Sequence, residues 1–137
     1  MNSVPSRPLL VSIDDEAEMR GVIMAIGEYA GFEAIGVSNP AQIHAAIARN
    51  PAVIVLDLIM PDMDGIEVIW ALAQRKSQTA LILLSGFDPN VLNTAYLIAK
   101  HEGLHILAQY EKPMDTRQLH QQLLNIRAQY EQAQDTG

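Results

Sequence analysis

The stretch Val53-Ile54-Val55-Leu56-Asp57-Leu58-Ile59-Met60-Pro61-Asp62-Met63-Asp64-Gly65 decides how the rest of the chain reads. Its first four residues are apolar and three are β-branched, which predicts a strand covered on both faces, as in a parallel sheet. The run stops on a carboxylate, Asp57, and breaks into turn residues. Three other short apolar runs behave alike: Leu9–Ile13 runs into Asp14-Asp15, Ala80–Leu84 into Ser85, and Ile106–Tyr110 leads to Lys112-Pro113. Read as parallel strands, all four deliver their polar residues to one carboxyl edge, where open α/β sheets bind ligands. Three carboxylates, a hydroxyl and an ammonium gathered there suit phosphoryl transfer, which needs mainly positioning and charge neutralisation.

Helical spacing fills the gaps between the runs. Met19, Val22, Ile23, Ile26 and Ala30 predict a helix closed by Gly31. Glu33–Val37 predicts a weak short strand, and Ser38-Asn39-Pro40 starts a helix that Asn50-Pro51 ends. Residues 66–76 read as helix, Asp88-Pro89 opens another that Gly103 ends, and residues 105–110 read as the last strand. Asp115 is placed to cap a final helix with the stripe Leu119, Leu123, Ile126 and Tyr130, leaving residues 131–137 as a frayed polar tail. Five β–α units make an α/β fold with right-handed crossovers and helices on both faces of the sheet.

The chain has 137 residues, 49% of them hydrophobic, which fits a single domain (core about 8–130) and excludes disorder. A net charge of −7 argues against binding nucleic acid or an anionic membrane through a basic surface. Without cysteine, thiol catalysis, disulfides and cysteine-ligated metals are excluded. Met1–Pro8 has no signal-peptide pattern, and no stretch approaches the roughly 20 apolar residues of a membrane span. A cytoplasmic location is expected.

Asp14-Asp15, the block Asp57-x-x-Met60-Pro61-x-x-x-Gly65, Ser85-Gly86 and Lys112-Pro113, in this order, resemble the receiver domain of bacterial two-component response regulators. The resemblance spans about residues 8–130. It implies a flavodoxin-like three-layer fold with five parallel strands in the order 2-1-3-4-5. It also implies a signalling domain that is an enzyme only toward its own phosphorylation and dephosphorylation. Asp57 would be the nucleophile that accepts a phosphoryl group from a histidine kinase or phosphotransfer protein; carboxylates serve as covalent nucleophiles for such groups. Asp15, Asp57 and the backbone carbonyl of Ile59 would bind Mg²⁺ directly, with Asp14 beside it through water. Without the cation, at least one crowded carboxylate should have a raised pKa. Ser85, the Gly86 amide and Lys112 would bind the phosphoryl oxygens, and Pro113 would follow a cis peptide bond.

Signalling would pass through the face around residues 85–130 to a downstream protein or an output domain, with homodimerisation through the last helices. The region from Gly103 to Pro113 is also similar to receivers that precede cyclic-di-GMP phosphodiesterase domains, so the chain is alternatively the receiver portion of a larger regulator. One departure stands out. The aromatic switch residue that receivers often carry three positions before the lysine is Gln109 here, and the neighbouring aromatic is Tyr110. Because strand side chains alternate faces, Tyr110 should not replace it. Ile59 and Phe87, two residues after Asp57 and Ser85, flank the path of hydrolytic water in this family; both are apolar, so the phosphoryl group should be long-lived.

Other readings fit less well. A haloacid-dehalogenase-type phosphatase needs a second Asp two residues after its nucleophile, where this chain has Ile59. A flavin-binding domain of this topology needs a Ser/Thr/Gly-rich loop after strand 1, where this chain is acidic. An EF-hand reading of Asp62–Gly65 fails, since its first and twelfth ligand positions would be Met60 and Ala71. His44, His101, His105 and His120 lack metal-ligand spacing, and Trp70 and Tyr96 sit in helical stripes that packing explains.

Overall fold

Five parallel strands form the centre of the computed structural model, which describes residues 7–60, 63–86 and 89–136. The expectations for Met1–Ser6, Pro61, Asp62, Phe87 and Asp88 therefore lie outside the described residues. The strands are β1 (Leu9–Ile13), β2 (Glu33–Val37), β3 (Val53–Asp57), β4 (Ala80–Ser85) and β5 (His105–Glu111). Their spatial order is β2-β1-β3-β4-β5, as the resemblance implies. The three inner strands are buried along their whole length, which is why they read as unbroken apolar runs. Edge strands β2 and β5 are partly exposed, and their sequences are correspondingly mixed.

The helices are α1 (Ala17–Tyr29), α2 (Pro40–Ala48), α3 (Gly65–Gln74), α4 (Pro89–His101) and α5 (Thr116–Thr136). Leu10, Val53, Val55, Ile82 and Leu84 point from the sheet to Ile23 of α1 and to Leu119, Leu123 and Ile126 of α5. Val11, Ile13, Ile54, Leu56, Leu81 and Leu83 point to the opposite face, against α2, α3 and α4. Gly31 (φ +101°) and Gly103 (φ +77°) take left-handed conformations just beyond α1 and α4, as helix-ending glycines do. Helix α3 ends at Gln74 rather than residue 76, because Lys76 already has a left-handed φ of +51°. Asp115 caps α5 by accepting from the Arg117 amide at 2.9 Å.

Helix α5 continues to Thr136, through most of the segment 131–137 expected to be a frayed tail. Glu131 pairs with Arg127 at 3.0 Å across one turn, and no Gly or Pro interrupts the segment before Gly137. Trp70 also departs from the packing expectation, since 44% of it is exposed on α3.

Two details bear on the site. Ile59–Met60 and Met63–Asp64 pair as a short antiparallel hairpin after β3. Gly65 follows it with no room for a side chain, since a Cβ there would sit 2.7 Å from Leu58 Cα. The Asp64 carboxylate then caps α3 by accepting from the Ile66 amide at 2.9 Å. On the other side, β5 carries an extra residue: Leu81 pairs with Ile106, but Ile82 pairs with Ala108. Leu107 is the bulged residue, and both it and Ala108 pack toward α1 and α5.

Candidate functional site

The strand alternation places two carboxylates side by side. Leu10 of β1 faces the α1/α5 layer, so Ser12 and Asp14 do as well; Val55 of β3 faces the same way, and so does Asp57. The register aligns Ile13 with Leu56, which brings Asp14 next to the end of β3. Both side chains are buried, whereas Asp15, on the other side of the chain, is exposed. One carboxylate oxygen from each of Asp14, Asp15 and Asp57 lies within 4.8 Å of the others.

Lys112 reaches this group from β5. Its amide donates to the Ser85 carbonyl at 2.7 Å, the peptide bond to Pro113 is cis, and its Nζ donates to Asp57 Oδ2 at 3.0 Å. The same ammonium lies 3.5 Å from Asp14 Oδ2 and 3.8 Å from Glu16 Oε2. Asp57 Oδ1 accepts from the Ile59 amide at 3.1 Å, and Asp14 Oδ1 from the Glu16 amide at 2.9 Å. Asp14 Oδ2 is buried without a hydrogen bond, since 3.5 Å to Lys112 is too long for a good one.

Burial, and secondarily the charge of Asp57, lifts the Asp14 carboxyl above its ordinary 3.8, against the opposing pull of the Glu16 amide and Lys112. The expected raised carboxylate is thus Asp14, and desolvation outweighs repulsion as its cause. Lys112 is also partly buried, which lowers its pKa, but its bond to Asp57 and the charges of Asp57, Asp14 and Glu16 raise it further. The ammonium stays protonated. A buried carboxylate oxygen without a hydrogen bond, among three carboxylates, is a hard, anionic donor set, and it fits a divalent cation such as Mg²⁺.

The structure therefore joins Asp14, Asp57 and Lys112 directly, with Asp15 at the rim. Ser85 is buried at the end of β4, one position beyond Leu84, which pairs with Asp57. Gly86 follows it with open space where a side chain would stand. Ile59 is 47% exposed beside the pocket. Gln109 is exposed, while Tyr110 packs toward α1 and α5; burial raises its hydroxyl pKa against a hydrogen bond with the Gln122 side chain. The bulge at Leu107 sets this alternation, because unbroken pairing from Ile106 would turn Tyr110 toward α4. Sequence reasoning missed Glu16 and Arg20. Arg20 Nη1 donates to the Asp14 carbonyl at 2.9 Å, and only its place one turn after Glu16 hinted at this. The four histidines join no metal-binding group among the described residues; His120 lies against Tyr29 with ring centroids 5.3 Å apart.

A 2-1-3-4-5 parallel sheet with an acidic pocket and a lysine at its carboxyl edge defines a flavodoxin-like α/β domain. The family model of the response regulator receiver domain matches residues 10–124, and the chain belongs to that family. It is 34% identical over 102 residues to the virulence-factor transcription regulator BvgA of Bordetella pertussis, covering 68% of this chain and 49% of BvgA. It is 40% identical over 60 residues to the phosphate regulon regulator PhoB of Pseudomonas aeruginosa, covering 43% of this chain and 26% of PhoB. The chain thus spans about half the length of BvgA or less of such relatives. A response regulator of Colwellia psychrerythraea superposes with a TM-score of 0.77 at 32% identity, covering 90% of this chain and 99% of that one. No helix among the described residues is long and apolar enough to cross a membrane.

Proposed function

We propose that the domain accepts a phosphoryl group on Asp57 from the phosphohistidine of a sensor kinase or phosphotransfer protein. In that step an Asp57 carboxylate oxygen attacks phosphorus, the phosphorus–nitrogen bond breaks, and the imidazole leaves with its electron pair. The observation that carries this reading is the Lys112 Nζ–Asp57 Oδ2 contact of 3.0 Å beside two further carboxylates. Asp14, Asp15, Asp57 and the Ile59 carbonyl would hold Mg²⁺, whose role when bound is to neutralise the carboxylates and the incoming phosphoryl charge. Lys112 supplies a fixed positive charge next to the acceptor, and Ser85 with the Gly86 amide supplies hydrogen bonds at the neighbouring strand end. Ile59 stands where a haloacid-dehalogenase-type phosphatase has its general acid, which favours a stable acyl phosphate over turnover.

Output follows from redistribution between two states of the face around residues 85–130. Its target is a downstream protein, a second copy docked through the last helices, or an output domain. The partial coverage of BvgA and PhoB supports the second reading, in which this chain is the receiver part of a longer regulator. In that case DNA contact belongs to the other part, since this one carries a net charge of −7. A cytoplasmic site of action follows from the kinase donor. The test is transfer from a phosphohistidine-loaded kinase. The parent should become labelled and Asp57→Asn should not; equal labelling of both would place the acceptor elsewhere.

A further inference from the structure

We infer that Arg20 is a positioning residue for the cation-binding carboxylates Asp14 and Asp15, and that Gly36 is the notch that lets it reach them. The inference rests on the reading of the acidic pocket as a Mg²⁺ site. Arg20 sits in the first turn of α1, where its own amide donates to the Glu16 carbonyl at 2.9 Å. Its Nη1 crosses back to the carbonyl of Asp14 at 2.9 Å. That carbonyl belongs to the peptide joining Asp14 to Asp15, two of the three clustered carboxylates. A peptide is planar, so holding its oxygen fixes the direction in which both residues leave it. The other groups of Asp14 are already tied: its amide donates to the Val37 carbonyl at 3.1 Å, and its Oδ1 accepts from the Glu16 amide. With Arg20 on the carbonyl, only Oδ2 remains without a hydrogen bond.

The route of the Arg20 stem is set by β2. Gly36 pairs with Ser12 of β1 and faces the same side of the sheet as Asp14. A Cβ at Gly36 would stand 2.8 Å from Arg20 Cδ, 3.0 Å from Arg20 Cγ and 2.9 Å from Met24 Sδ. The φ of Gly36 lies outside the left-handed region, so the position demands room and not conformational freedom. Glycine here lets the arginine stem lie against the strand and bring its guanidinium to the pocket. Arginine keeps its charge at any ordinary pH and presents several donors in a rigid plane, which suits it to orient a carbonyl.

Charge and positioning make opposite forecasts. As a bare cation, Arg20 repels a divalent ion, and its removal would tighten Mg²⁺ binding. As a positioning residue it supports the ligands, and its removal loosens binding; outer-sphere partners of metal ligands typically contribute ~10- to 100-fold in affinity. The experiment is calorimetric Mg²⁺ titration of the full chain, of Arg20→Ala, of Gly36→Ala and of the double variant, with metal-free melting of each. Arg20→Ala should bind Mg²⁺ about tenfold more weakly, at the lower end of that range. Gly36→Ala should weaken it in the same direction, and the double variant should be no worse than Arg20→Ala. Unchanged or tighter binding by Arg20→Ala overturns the inference, as does a lowered melting midpoint with the Mg²⁺ affinity intact. Additive losses in the double variant overturn the role given to Gly36. Failure of the parent to bind Mg²⁺ removes the underlying reading of the site, and the inference with it.

Discussion

Lys112 Nζ donates to Asp57 Oδ2 at 3.0 Å although the two residues stand 55 positions apart in the chain. The contact exists because β5 and β3 flank β4, and because the Lys112 amide is tied to the Ser85 carbonyl at the end of β4. It places a permanent cation against one buried carboxylate and leaves the other, Asp14, with a weaker 3.5 Å share of it.

That imbalance has a pH signature. Native Asp14 holds its proton more tightly than an unfolded aspartate, chiefly through burial. The stability it contributes is therefore full below the ordinary value of 3.8 and is lost as pH rises through its raised native pKa. In metal-free buffer, the parent should lose ground against Asp14→Asn as pH climbs from that value to neutrality. Stabilisation by added Mg²⁺ should grow over the same range, because the cation needs the ionised carboxylate. Parallel melting curves for parent and variant at all pH values would contradict this.

Gly65 is where the hairpin after β3 meets α3 without space. Gly65→Ala pushes a Cβ to 2.7 Å from Leu58 Cα, a backbone atom that cannot swing aside. A cost of about 1–3 kcal/mol is expected, the usual range for overpacking. Denaturant titration measures it, and a change below about 0.5 kcal/mol, the range of neutral surface substitutions, would show that the hairpin moves easily.

The buried strands, the helix-ending glycines and the Asp115 cap were legible in the sequence, because each depends on local pattern: burial on two faces, a positive φ, a side chain next to a helix start. The order of the strands in the sheet came only with the family resemblance. The convergence of Asp14, Asp57 and Lys112 was legible too, once four strand ends were assigned to one edge. What escaped were features fixed by packing or tertiary pairing. The bulge at Leu107 has no composition signal, yet it decides that Tyr110 faces α5. Arg20 reads as an ordinary charged position on a helix until Gly36 of another strand makes room for it. The extension of α5 to Thr136 runs through a polar segment that has no apolar stripe to announce it.

The position of Tyr110 bears on signalling. With Gln109 exposed and Tyr110 turned away from α4, the bias of phosphorylation on residues 89–101 should be weak in the parent and stronger in Gln109→Tyr. Amide exchange with and without a phosphoryl mimic reads this out. Equal changes in α4 for both proteins would separate the aromatic position from the switch.

Ile59 is exposed at the pocket and cannot accept a hydrogen bond from water. Spontaneous loss of the phosphoryl group should therefore be slow, and Ile59→Asn should speed its first-order decay by up to about 10²-fold, the lower end of what a positioned polar group supplies. Equal decay rates would mean that Ile59 does not guard the phosphoryl group.

The most direct measurement is the intact mass of the protein after incubation with Mg²⁺ and a small acyl phosphate, followed by mild base. The parent should gain the mass of one phosphoryl group, survive acid, and lose the group in base, as an acyl phosphate does; Asp57→Asn should gain nothing, and Lys112→Ala far less than the parent. An adduct of the same size and base lability on Asp57→Asn would contradict the assignment of Asp57 as the acceptor, and with it the account of the pocket built around that residue.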